Sequence, residues 1–269
     1  MYSAFLVTKE LLENIVTIHR LALNNLITKN KGNLLGFLWL WINPAIQIGI
    51  YSVVFGMGVR NSTPVEGIDF VYWLIAGFIV WNYIISVVTA SSRSIIGKMG
   101  IVTKMKFPVS VIPVTAVVQE LYIHFLMIIT VVVVLLVSGF SFNIYWLYIL
   151  YYAFATTALL IALAIFNSAV TTIIRDYQHI VYNFMRMIFF VTPIMFAFDT
   201  MKGKIMKVLF ILNPFSYVVE GYRDSLIFSR RTLFLSIDRA IYFWSIVFII
   251  YIVGSILHVR MRKNLLDLA

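Results

Sequence analysis

Cysteine is absent from the 269 residues, which excludes structural disulfides, thiolate metal sites and a cysteine nucleophile. Charge is scarce too: Asp, Glu, Lys and Arg make up 12% of the chain, where a soluble domain carries about 25%, and a water-soluble fold of this size is excluded. The phosphate-cradling pattern GxxxxGK followed by Ser or Thr does not occur, because Gly97-Lys98 is followed by Met99 and Gly203-Lys204 by Ile205. The HExxH pattern is also missing, and His19, His124, His179 and His258 stand too far apart to suggest a local metal motif. No catalytic residue, metal or cofactor is therefore expected in this chain. The first residues carry acidic groups and lack a basic start followed by a small-residue cleavage site, so they do not read as a removed signal peptide.

What the chain has in abundance is apolar sequence, at 62% of positions. A bilayer core of about 30 Å needs about 20 mostly apolar helical residues. Such runs lie near 36–59, 71–90, 110–137, 145–172, 180–198 and 240–258, which predicts an all-α integral membrane protein with six transmembrane helices. The formal charge of +10 flanks these runs, which points to topology and anionic lipid rather than nucleic acid. Between the last two runs, 199–239 is partly apolar but contains Pro214 and the charges of EGYRD. Charge and Pro are costly at mid-bilayer, so this region reads as re-entrant or interfacial helices, with a seventh span as the alternative.

With six spans both termini share a side. Lys9, Arg20, Lys29 and Lys31 before the first span, Arg93, Lys98, Lys104 and Lys106 after the second, and Arg260, Arg262 and Lys263 at the end place that side in the cytoplasm. The bases of 199–239 would then lie outside, against the rule. Within the N-terminal segment 1–35, Leu11, Ile15, Ile18, Ala22 and Leu26 recur at helical spacing with polar residues on other faces, which predicts an amphipathic helix over 9–29 along the inner membrane surface. Residues 36–269 form one membrane domain.

Ionisable groups inside a membrane pair with each other or mark a transport path. Glu120 and His124 share a face of the third span, and Arg186 lies in the fifth. A structural Glu120–Arg186 pair is the expectation, with substrate contact or proton coupling through Glu120 and His124 as alternatives. Phe37, Trp39, Trp41, Trp73 and Trp81 read as belt or packing aromatics, or as stacking faces along a substrate path. Glu220, Arg223 and Asp224, at spacings of three and four, can share one helical face and pair locally as an outer gate. From Arg93 to Pro108 the chain is too polar to enter the bilayer. Its Lys98, Lys104 and Lys106 alternate with Ile101, Val102, Met105 and Phe107, the pattern of a docking surface with an apolar centre and a charged rim.

Several ordered words, GFLWLWINPAIQ at 36–47, KMKFPVSVIP at 104–113, RDYQHIV at 175–181, VTPIMF at 191–196 and LNPFSYVVEGYRDSL at 212–226, resemble the type-2 ABC exporter permeases that move lipid-linked polysaccharides out of bacteria. PVEG at 64–67, VEGYRDS at 219–225 and YFW at 242–244 with GSILHVRMRK after it look most like the wall teichoic acid permeases within that family. The resemblance implies a plasma-membrane homodimer working with two copies of a separate ATPase that binds ATP and Mg. It implies a lipid-linked polyol-phosphate polymer as cargo, with O-antigen, capsule or a small molecule as alternative cargoes. It also implies a coupling helix within 93–106, a second cytoplasmic contact at Arg175-Asp176, and extracellular re-entrant helices at 199–239. A membrane glycan-processing enzyme or an ion channel are the rivals from other classes.

Overall fold

The computed structural model describes residues 2–30, 35–54, 64–102, 107–195, 203–229 and 237–266. In chain order the helices are α1 (Tyr2–Glu13), α2 (Ile15–Asn30), α3 (Trp39–Tyr51), α4 (Phe70–Ser92), α5 (Met99–Val102) and α6 (Val111–Val137), then α7 (Tyr148–Ile173), α8 (Tyr177–Val191), α9 (Lys204–Leu212), α10 (Pro214–Arg223) and α11 (Ile237–Leu266). Among the described residues there is no β-strand, only an isolated bridge between Val65 and Ile68. Five stretches of the described residues are long and apolar enough to cross a membrane: Gly36–Val54, Phe70–Ser92, Val111–Val137, Ile144–Ile173 and Ile237–Arg262.

The expected run at 180–198 takes a different form. It is represented by α8, whose 15 residues reach about 22 Å, short of the hydrocarbon core. The helix stops because Pro193 follows: the residue before a proline is driven out of the helical region, and Thr192 is extended at φ −84° and ψ 141°. Residues 196–198 of that run, with 55–59 of the first, lie outside the described residues.

At the centre of the bundle stands α4, which buries residues around its whole circumference, Trp73, Leu74, Phe78, Val80 and Ile84 among them. A helix apolar on every side belongs inside other helices, and α6, α7, α8 and α10 surround it. By contrast α3 is also apolar yet has no buried residue, so it stands at the edge against α4. The long α11 packs along α7.

The predicted helix over 9–29 is two helices broken at Asn14, whose side-chain amide donates to the Glu10 carbonyl over 2.8 Å. Ile18 and Ala22 are buried, whereas the break turns Ile15 outward. Both helices are fastened to the bundle. Thr8 meets the Tyr251 hydroxyl at 2.7 Å, His19 Nδ1 meets that of Tyr122 at 2.6 Å, and Arg262 donates to Glu10 over 3.0 Å.

Within 199–239, α9 exposes an apolar face that includes Ile205 and Val208, while α10 is swallowed by the bundle. Pro214 opens α10 at a position where its missing N–H costs nothing. Asn213 caps it by accepting from the Phe215 N–H at 2.9 Å and ties it to α8 by donating to Thr192 Oγ1 at 2.8 Å. From Phe215 through Ile227 all but Glu220 is buried, including the π-helical turn Asp224–Phe228.

Candidate functional site

Three pairs of polar residues one helical turn apart converge between spans. Asn43 and Gln47 on α3, Asn82 and Ser86 on α4, and Glu120 and His124 on α6 all line one cavity of about 220 Å³, with Tyr83 and Trp39 on its wall. Residues four apart on a helix share a face, so three otherwise apolar spans each present one polar stripe here. A second cavity of about 570 Å³ continues from it past Thr89, Arg93, Gln178, His179 and Tyr182. Lys29, Ser86 and Glu120 belong to both.

At the join, Lys29 Nζ lies 3.5 Å from Glu120 Oε1, and Gln119 donates to the same oxygen over 3.1 Å. The Glu120 side chain is 7% exposed and that of Lys29 is 62% exposed. A carboxylate this deep in a span needs a cation or donors, and α2 delivers the cation from its last turn. Deeper in, Tyr83 stacks on His124 with ring centroids 4.5 Å apart, and His124 Nε2 meets the Tyr222 hydroxyl at 2.6 Å. His124 Nδ1, near the Ile79 backbone, makes no well-formed hydrogen bond.

Glu120 is thus paired with Lys29 and not with Arg186. Because α8 turns Val181 and Met185 inward, Arg186 falls on its exposed side. There it donates to the Tyr182 hydroxyl over 2.6 Å and lies 4.2 Å from that ring's centre. The aromatic residues divide in a similar way. Trp39 lines the polar cavity, Trp41 Nε1 donates to Thr130 over 3.0 Å, and Phe37 is exposed. Trp73 and Trp81 are buried core residues, Trp73 stacked on Phe70 and Trp81 against Phe189 and Phe215, so neither presents a free face along a path.

Among the described residues Arg223 is the largest fully buried side chain. Its Nε donates to the Trp73 carbonyl over 3.1 Å, its Nη1 to Pro193 O, and its Nη2 to Ile194 O over 3.2 Å, while its Cζ sits 3.4 Å above the Trp73 ring. Glu220 stands 3.6 Å from Nη1, and Asp224 is buried beside it. The expected local pair with Glu220 is present, but one guanidinium also joins α10, the N-terminal part of α4 and the turn after α8. The helix α4 makes room with Gly77, where a Cβ would fall 2.4 Å from Nη2. Likewise a Cβ at Gly221 would meet the Tyr152 ring at 2.1 Å, so glycine sets how closely α10 approaches α7.

At the opposite end of the bundle, Ile95, Val109, Ile112, Ala169 and Met261 form a small cluster that brings together the ends of α4, α6, α7 and α11. Phe107 packs on it and is half-buried, so it anchors the segment instead of standing free. Arg93, Arg175 and Asp176 are exposed. Lys98 ends a 3-10 turn, and burial pushes its ammonium pKa below the ordinary value. The side chain of Ile101, and Lys104, Met105 and Lys106 altogether, lie outside the described residues. Among the described residues no three His, Asp or Glu side chains gather as metal ligands.

The one-turn pairing of Asn43 with Gln47 and of Asn82 with Ser86 is visible in the sequence, and sequence reasoning caught only its third instance, Glu120 with His124. Lys29 gave no such signal, since it reaches its partner across 91 positions.

The profile of the ABC-2 type transporter family matches residues 19–227. The chain is 30% identical over 225 residues to the O-antigen export system permease protein RfbA of Klebsiella pneumoniae, covering 83% of this chain and 84% of that one. A second Klebsiella pneumoniae protein of that name is 29% identical over 235 residues, 87% of this chain and 84% of its own. One from Myxococcus xanthus is 27% identical over 198 residues, 72% of this chain and 73% of its own. The matched stretch runs from α2 to the turn after α10 and holds both the polar cavity and Arg223, and the chain belongs to the ABC-2 type transporter family.

Proposed function

We propose that this chain is the membrane-spanning subunit of a bacterial ABC exporter that moves a lipid-linked polysaccharide across the plasma membrane. The observation that carries the cargo is the likeness over most of the chain to O-antigen export permeases. It puts a polysaccharide ahead of the polyol-phosphate polymer suggested by the short words at 64–67 and 219–225. The polar stripe through α3, α4 and α6 supports the same class, since sugars and phosphates cannot cross bare hydrocarbon without compensating hydrogen bonds.

In this proposal a separate ATPase binds ATP and Mg and docks in two copies on a homodimer of permeases. Its docking face comprises Arg93, Lys98, the 101–106 segment, and the Arg175-Asp176 turn. The unburied α3 leaves a long apolar flank that lipid or the second permease covers. The sixth crossing is α8 with the turn after it. His179 shares a cavity with Arg93 at one end of α4, and the Pro193 and Ile194 carbonyls share Arg223 with Trp73 near the other. Both termini are then cytoplasmic, α1 and α2 lie at the inner interface, α9 and α10 enter from outside, and Glu220, Arg223 and Asp224 brace the outer gate.

Depleting the chain in its host should leave a lipid-linked polysaccharide accumulating on the cytoplasmic side, and affinity purification should bring down an ATP-binding subunit. Accumulation of a polyol-phosphate polymer would transfer the proposal to teichoic-acid-type cargo, and purification without an ATPase would overturn it.

A further inference from the structure

The two joined cavities differ in chemistry. The larger one gathers the bases Lys29 and Arg93 and the His179 imidazole against the single carboxylate Glu120, with hydroxyls of Ser86 and Thr89 between them. The deeper one shares Lys29 and Glu120 with it and adds amides, Asn43, Gln47 and Asn82, with the Trp39 and Tyr83 rings, in a volume that takes one sugar ring and not a chain. A set of amides beside aromatic faces suits a carbohydrate, whose hydroxyls need both donors and acceptors. One ion pair here is loosely made. The Lys29–Glu120 contact is long at 3.5 Å, joining a wet cation to a buried carboxylate.

Resting on the export function proposed above, we infer that these cavities form a two-part site for a glycosyl phosphate. The phosphate takes Lys29 from Glu120, with Arg93 and His179 beside it, and the attached sugar enters the deeper compartment. The exchange requires both halves of the ligand. A phosphate alone would strip Glu120 of its cation and leave a buried carboxylate with only the Gln119 amide, which is costly, whereas a sugar hydroxyl can donate to Glu120 in the lysine's place. The site is thereby selective for a phosphate that carries a sugar.

The test uses the full-length permease in phosphatidylcholine nanodiscs and two tritiated probes, decyl phosphate and its diester with N-acetylglucosamine. The sugar-bearing probe should bind about tenfold more tightly, the value of one charge-assisted hydrogen bond. Lys29→Gln should weaken both probes about tenfold. Glu120→Gln should tighten decyl phosphate, by freeing Lys29, while shrinking the advantage of the sugar. A merely structural pair would not give opposite signs. Asn82→Ala supplies a second route if Glu120→Gln does not fold, and should weaken only the sugar-bearing probe. Equal affinity of the two probes, or a Glu120→Gln change that weakens decyl phosphate, overturns the inference. Replacing part of the phosphatidylcholine with phosphatidylglycerol separates the sources: competition as strong as that of the glycosyl phosphate would assign the site to phospholipid headgroups and overturn it too. If the host exports its polysaccharide through this chain yet the probes do not discriminate, the site is lost and the export function stands.

Discussion

Arg223 and Lys29 are both cations that join helices and sit beside a glutamate, and they are built in opposite ways. Arg223 is 1% exposed, its donors go to three backbone carbonyls as well as Glu220, an indole covers its face, and Gly77 is shaped around it. Lys29 is mostly exposed and touches Glu120 at 3.5 Å in a cavity that continues on both sides. In the first case the carboxylate is the more exposed partner, in the second the cation is. A guanidinium with a fixed fork of donors suits a permanent joint, whereas a flexible ammonium suits a contact that changes hands. The difference predicts that the Arg223 joint determines stability and the Lys29 contact determines affinity.

The largest expected effect comes from breaking the closed joint. Arg223→Ala removes the donors from Trp73, Pro193 and Ile194 and takes away this joint between α10, α4 and the turn after α8. Loss of one member of such a buried set costs about 3–5 kcal/mol. Thermal unfolding in nanodiscs should show it as a fall of the melting temperature, and a melting curve unchanged from the parent would refute the joint.

Next in size is Gly77→Ala. Its new methyl falls 2.4 Å from Nη2, and the guanidinium cannot retreat without giving up carbonyls. Overpacking of this kind costs about 1–3 kcal/mol. The sharper outcome is non-additivity. With Arg223 already replaced by Ala the methyl finds room, so the double variant should be no less stable than Arg223→Ala alone. Full additivity in that cycle would mean that the methyl meets something else.

How much of this was legible depends on distance along the chain. The spans at 70–92, 111–137 and 144–173 were readable because each is a long apolar run, and a run is local information. The run at 180–198 gave the helix too long, because apolarity does not record where Pro193 ends it. Arg223 was read from EGYRD as one member of a local cluster, since Glu220 is three residues away. Its carbonyl partners lie 150, 30 and 29 residues away, where no spacing rule reaches. The pairing of Glu120 with Arg186 failed for the same reason: two charged residues on two helices say nothing about which faces meet. Lys29 was counted only as a topological base, and the ends of α2 and the middle of α6 become neighbours through packing alone. The polar stripe was within reach, because four-residue spacing of polar groups on an apolar helix is itself a local pattern.

The smallest effects sharpen the comparison on a single helix. In α1, Glu10 and Glu13 are one turn apart and each faces a base. Glu10 is 17% exposed, accepts from Arg262 at 3.0 Å and from Ser110 Oγ at 2.8 Å, and so ties α1 to the ends of α11 and α6. Glu13 is 61% exposed and faces Lys9 of its own helix at 3.8 Å. If burial and long-range partners give an ion pair its worth, Glu10→Gln should cost about 1 kcal/mol. Glu13→Gln should cost about 0.3 kcal/mol or less, within the range of exposed pairs one turn apart. Melting curves at low and high salt provide the check. The small effect of Glu13→Gln should vanish as salt screens it, while most of the Glu10→Gln effect should persist, because the neutral Ser110 hydroxyl takes part. Equal losses at the two positions, or complete screening at both, would mean that α1 is held by its apolar contacts through Val7 alone and that Glu10 adds only surface charge.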